Sequence, residues 1–174
     1  MTKARSELEL RRDFEALTRT YRDDLYRYAF WLSRDRQLAD DVVQEALLRA
    51  WKGFETLKDP GAAKQWLIAI VRREHARYYE RKRLATVDVA DVEQHLEATT
   101  EDPELEDMRR AILGLDDQYR EPLALQVLMG YSTREIAELT GLKSGAVLTR
   151  LHRARAQLRA AIGLAEADSA EPGK

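Results

Sequence analysis

Between Lys143 and Arg159 the chain carries five Lys or Arg and no acid. Val147, Leu151, Ala154 and Leu158 recur through that stretch at helical spacing and predict one buried stripe. The opposite face then shows Thr149, His152 and Arg153, with Arg150 on the flank and Lys143, Ser144 and Leu148 at the start. Cationic groups grip phosphates, and Thr, His and Arg side chains can read base edges in a major groove. The competing account is a short helical hairpin with a solvated basic face.

A second concentration of chemistry lies between residues 72 and 83, where six bases fall within twelve residues: Arg72, Arg73, Arg77, Arg81, Lys82 and Arg83. Tyr78 and Tyr79 interrupt them. Bases interleaved with aromatics can hold a nucleic-acid backbone and stack on unpaired bases, although a basic last turn also suits a helix C-terminal dipole. A third group is Asp40, Asp41, Gln44, Glu45, Arg49 and Lys52, on the side of a helix away from Val43, Ala46, Leu47, Ala50, Trp51 and Phe54. Acids early and bases late again suit the dipole, so a purely solvated face accounts for this charge order too.

Enzyme chemistry finds no such concentration. His75, His95 and His152 are scattered over separate stretches, and no two of them stand at i,i+4 spacing with a carboxylate partner. Asp40 and Asp41 are adjacent, so on a helix they point apart and cannot act as a facing acid–base pair. The expectation is a protein that is not an enzyme, with no cofactor, no metal and no small-molecule substrate.

These residues must be positioned by helices. Tyr131 to Arg159 reads as helix, tight turn, helix: Ser132 three residues before Glu135 is a capping box, Ile136, Ala137 and Leu139 follow, and Gly141 supplies the turn. Phe14, Leu17, Tyr21, Leu25, Tyr28 and Leu32 predict one long helix over 6–32, with Ser33-Arg34-Asp35 as a break. A second helix is expected over 36–54 and a third over 63–83, opening with Trp66, Leu67, Ile70 and Val71. The loop Thr56 to Ala63 between them contains Lys58 and the turn Asp59-Pro60-Gly61. Leu105, Met108, Ile112 and Leu115 predict another helix, and a further one spans about Tyr119 to Met129 with Pro122 in its first turn.

The fold class is therefore all-α, as two small helical domains over 6–84 and 104–163. Thr86 to Asp107 holds nine Asp or Glu, one His and no Lys or Arg. It is expected to be a flexible acidic linker, placed at 85–103, and residues 164–174 a disordered tail. Net charge is only −2, because acidic and basic blocks alternate along the chain. There is no cysteine, no long apolar run and no apolar segment at the N-terminus, which fits the cytoplasm.

Three stretches carry a resemblance. DDVVQEALLRAWKGF resembles the polymerase-binding part of region 2 of the sigma-70 family, and QWLIAIVRREHARYYERKR resembles the helix after it. LDDQYREPLALQVLMGYSTREIAELTGLKSGAVLTRLHRARAQLR resembles region 4. Their order and spacing are similar to extracytoplasmic-function, or group 4, sigma factors. The resemblance implies an initiation subunit of bacterial RNA polymerase. Asp40, Asp41, Gln44, Glu45, Arg49 and Lys52 would meet the clamp of the largest subunit, and the flap of the second subunit would be a further contact. Lys58, Asp59, Trp66, Arg72, Arg73, Arg77, Tyr78 and Arg81 would meet the promoter −10 element. Lys143, Ser144, Leu148, Thr149, Arg150, His152 and Arg153 would meet the −35 element. It also implies a separate anti-sigma protein. The chain departs from the family's pattern at Arg73, where Asn is frequent, at Lys143, where Ser or Pro is, and at Leu148, where Lys is, so no promoter sequence carries over. Two other classes stay open on the residues alone: a helix-turn-helix regulator that acts without polymerase, and an interaction protein that binds no DNA.

Overall fold

The structure is a computed structural model and describes residues 6–85 and 103–169. Most of the expected linker and residues 170–174 of the expected tail lie outside the described residues. The chain divides into two compact units, 1–93 and 94–174.

The first unit is three helices packed on one another: α1 (Glu7–Ser33), α2 (Arg36–Gly53) and α3 (Ala63–Ala85). Ser6 opens α1 with a capping box, its hydroxyl accepting from the Glu9 N–H at 3.3 Å while the Glu9 carboxylate accepts from the Ser6 N–H at 2.8 Å. Arg34 ends the helix in the left-handed region at φ 59°, its N–H donating to the Phe30 carbonyl. Asp35 then caps α2 by accepting from the Leu38 N–H at 3.0 Å. The break expected at 33–35 is thus a cap followed directly by a cap.

Burial is uneven along α1. Leu25, Tyr28, Ala29 and Leu32 are buried, whereas Phe14, Leu17 and Tyr21 are only half covered. On α2 the buried stripe is Leu38, Ala39, Val42, Val43, Ala46 and Ala50. Leu47 and Trp51, expected in the core, sit at its edge: Leu47 is half-buried and Trp51 is 38% exposed. Trp51 instead lies edge-on to Phe14 with ring centroids 5.2 Å apart, an arrangement that contributes about 0.5–1.5 kcal/mol beyond area burial. Gly53 closes α2 one residue short of the expected end, and Phe54 starts a 3-10 turn through Thr56. Its ring is buried and meets Phe14 from a second side, again at 5.2 Å.

The second unit holds α4 (Pro103–Leu113), α5 (Asp117–Val127), α6 (Thr133–Thr140) and α7 (Ser144–Ser169). Its core joins Leu113, Leu115, Leu123, Leu125, Ile136, Val147, Leu151 and Ala154. Three boundaries differ from expectation. The acidic residues Glu104, Glu106 and Asp107 belong to α4, where Glu106 is buried and paired with Arg109 at 3.0 Å. α5 starts at Asp117, two residues earlier than expected, so Pro122 lies in the second turn, not the first. The α7 helix runs on through Ser169, into the stretch expected to be a tail. All regular elements among the described residues are helical, and none of these helices is long and apolar enough to cross a membrane.

Candidate protein and nucleic-acid interfaces

The side of α2 opposite the core stripe presents Asp40, Asp41, Gln44 and Lys52, all exposed, with Glu45 half-buried. Leu48 stands among them at 60% exposure. Arg49 is less free than its neighbours. Its Nη2 meets Glu45 at 3.0 Å, and its Nε meets the Glu74 carboxylate of α3 at 2.8 Å.

Glu74 was not legible as a functional residue, yet it organises this unit. It is 2% exposed, and the same oxygen that accepts from Arg49 also accepts from Arg77 Nη1 at 2.7 Å. The other oxygen is buried without a hydrogen-bond partner. The available sequence signal was a carboxylate standing in line with Leu67, Val71 and Tyr78 on α3. Arg49 and Arg77, expected on different binding faces, are therefore joined through one buried carboxylate.

Along α3, Arg73, Arg77 and Arg81 are exposed and four residues apart, so they share a face. Arg72 is half-buried to one side, and Tyr78 is half-buried beside Tyr79, which is 41% exposed. Trp66 is half-buried at the other end of the helix. Lys58 and Asp59 are exposed on the loop, where the Asp59 carboxylate accepts from the Gly61 N–H at 2.8 Å and fixes the turn over Pro60–Ala62.

In the second unit, α6 and α7 form the expected helix-turn-helix. The Ser132 hydroxyl accepts from the Glu135 N–H at 3.3 Å, and the Glu135 carboxylate accepts from the Ser132 N–H at 2.8 Å. The Ser132 hydroxyl, and then its backbone N–H, hold the Glu135 carboxyl below its ordinary range. This cap therefore supports α6 at neutral pH and is lost as pH falls through the lowered value. Gly141 turns the chain at φ 72°, where a side chain would be strained.

On α7, Val147, Leu151 and Ala154 are buried, and Leu158 is half-buried. Lys143, Ser144, Leu148, Thr149, His152 and Arg153 are exposed, and Arg150 is half-buried on the flank. Two arginines are steadied from α5: Arg153 lies 3.5 Å from the Tyr119 hydroxyl, and Arg155 pairs with Gln126. Arg155 was not among the expected contacts. Among the described residues no group of three or more His, Asp or Glu is placed to hold a metal ion.

A three-helix unit with a mixed-charge face and a basic helix, followed by a helix-turn-helix, is the layout of two known regions. Sigma-70 region 2 matches residues 17–84, and sigma-70 region 4 matches residues 105–158. The chain belongs to the sigma-70 family, in its extracytoplasmic-function branch. The sigma factor EcfG of Rhodopseudomonas palustris is 31% identical over 155 residues, which cover 83% of this chain and 86% of EcfG. SigL of Mycobacterium tuberculosis is 33% identical over 147 residues, covering 78% of this chain and 80% of that one. Among solved structures, CnrH in complex with the cytosolic domain of CnrY matches with a TM-score of 0.64 at 28% identity, covering 91% of this sigma factor and 90% of CnrH. The sigma factor RpoE of Bartonella quintana, in complex with the anti-sigma factor NepR, shares the fold with a TM-score of 0.70 at 24% identity, over 87% of this chain and 97% of that one.

Proposed function

We propose that this sigma factor joins the core RNA polymerase in the cytoplasm, directs it to a set of promoters and performs no catalysis itself. The observation that carries the reading is that regions 2 and 4 occur in order in one chain, the α7 face of the second exposing Thr149, His152 and Arg153. A regulator acting without polymerase would have no use for region 2. The α2 face carrying Asp40, Asp41 and Gln44 docks on the clamp of the largest subunit, with the flap of the second subunit as a further contact. The loop with Lys58 and Asp59, together with Trp66 and the Arg73–Arg77–Arg81 row, receives the −10 strand. The α7 face reads the −35 duplex. A separate anti-sigma protein covers these faces in resting cells; among the similar structures, RpoE is in complex with the anti-sigma factor NepR and CnrH with the cytosolic domain of CnrY. The deciding experiment adds the chain to core polymerase and maps transcription start sites. New starts that share upstream elements support the reading, and starts identical to those of core alone refute it.

Two consequences follow for individual residues. Asp41 and Gln44 are exposed and form no part of the α2 stripe, so changing both to Ala should alter stability by no more than about 0.5 kcal/mol. The same variant should bind core polymerase more weakly in a pull-down titration, and undiminished binding would remove α2 from the interface. Arg150→Ala and Arg153→Ala test the second unit. A lost phosphate contact should weaken all duplexes and lower the salt slope by about one unit, whereas a lost base contact should cost about 1–3 kcal/mol at one position. Salt titrations of −35 duplex binding separate the two, and an unchanged result for both variants would turn α7 away from DNA.

A further inference from the structure

Two residues at the start of α7 have no explanation inside the chain. Gly145 takes an ordinary negative φ, since the glycines with positive φ among the described residues are Gly130 and Gly141. A Cβ built on it would meet nothing within 4 Å. Ala would fit there and would favour the helix, so neither backbone nor packing requires glycine. Leu148, three residues on, is a large apolar side chain left 57% exposed. Thr149 completes the group. Its hydroxyl donates to the Gly145 carbonyl at 2.9 Å, so its donor is spent. The surroundings are cationic: between Lys143 and Arg159 there are five bases and no acid.

We propose that Gly145, Leu148 and Thr149 form a shallow apolar notch that receives the C5-methyl group of a thymine in the major groove of the −35 duplex. This rests on the reading that α7 enters that groove. The missing Cβ at Gly145 lets a base edge approach the helix backbone, and Leu148 and Thr149 flank the approach. Thymine is the one base with an apolar group in the major groove. Guanine and adenine present only polar groups there, so they gain nothing from the apolar side chain of Leu148. Cytosine presents an amino donor, which would lose water against Leu148 and has no methyl to bury there. The choice of base at this one position then comes from apolar side chains, separately from whatever the surrounding arginines contact.

The test uses the holoenzyme reconstituted from the full chain and core polymerase. It selects duplexes from a pool randomised across the −35 position. The wild-type holoenzyme is expected to fix a thymine at one position. Replacing that thymidine with deoxyuridine removes only the methyl and should weaken binding about fourfold, the worth of one buried methyl. In Leu148→Ala the uracil penalty should vanish, and selection should relax at that position alone. Gly145→Ala should raise the melting temperature of the chain and yet weaken binding to the selected duplex. That opposition of signs is not expected of a residue with only a structural role. A sharp selection without any uracil penalty, or a penalty unchanged in Leu148→Ala, would overturn the notch and leave the −35 reading standing. A selection that enriches no sequence would overturn both.

Discussion

Replacing Arg49 and Arg77 together with Ala is expected to lower the stability of the first unit by about 3–5 kcal/mol, far more than two half-exposed arginines would suggest. The reason lies with Glu74. Its side chain is 2% exposed, while those of Arg49 and Arg77 are 43% and 48% exposed. Both guanidiniums converge on one oxygen of that carboxylate, and the second oxygen has no hydrogen-bond partner. Without the arginines a buried anion stands uncompensated. The reverse change is asymmetric: Glu74→Met removes the buried charge, and both arginines can turn into water. It should alter stability by less than about 1.5 kcal/mol, and adding it to the double arginine variant should restore most of the loss. Trp31, Trp51 and Trp66 all lie in this unit, so chemical denaturation followed by tryptophan fluorescence reads it directly. A double arginine variant with an unchanged midpoint would show that the carboxylate is compensated in some other way. The result also governs how binding data are read. A loss of polymerase or −10 binding in Arg49→Ala or Arg77→Ala counts as a contact only if it persists in the Glu74→Met background.

The parts of this molecule that could be read from sequence are those whose cause is local. Ser132, Glu135 and Gly141 specify the start and stop of α6 within ten residues, and Asp35 specifies the start of α2 within four. The exposed faces follow from the same logic, because a stripe such as Val147–Leu151–Ala154 fixes what must point away from it. What escaped has a cause elsewhere in the chain. Glu74 depends on Arg49 from another helix. The poses of Arg153 and Arg155 depend on Tyr119 and Gln126 of α5. Trp51 and Leu47 fit the helical period, but Phe14 of α1 decides that Trp51 lies at an edge. Composition misled at α4, where acids that read as linker belong to a helix and Glu106 finds Arg109 one turn on.

Arg120 shows the same limit with the larger consequence, and Arg120→Ala is expected to cost the second unit about 3 kcal/mol or more. In sequence it looks like one more surface base, but it is 1% exposed. Its Nη1 donates to the Leu115 carbonyl at 2.6 Å and the Leu113 carbonyl at 3.4 Å, while its Nη2 pairs with the Asp117 carboxylate. Leu113 is the last residue of α4, where carbonyls have no partner within the helix. One planar guanidinium thus ties the end of α4 to the start of α5. Truncation leaves acceptors without this donor, at about 1–3 kcal/mol for each that stays buried and unmet, and adds a cavity where the alkyl stem lay. Asp117 is 74% exposed and should contribute little, because water can replace its partner. Arg120→Met keeps much of the volume and isolates the hydrogen-bond loss. Arg120→Lys keeps the charge but lacks the planar fork, so it should recover only part. The placement of the tryptophans makes the outcome separable. Far-ultraviolet circular dichroism, which sees both units, should show an earlier transition in Arg120→Ala, while the tryptophan transition of the first unit stays where it was. Binding to a −35 duplex should fall with the folded fraction and recover on cooling toward the temperature of maximum stability. A variant that unfolds at the wild-type midpoint by dichroism would mean that the junction between α4 and α5 does not depend on this arginine.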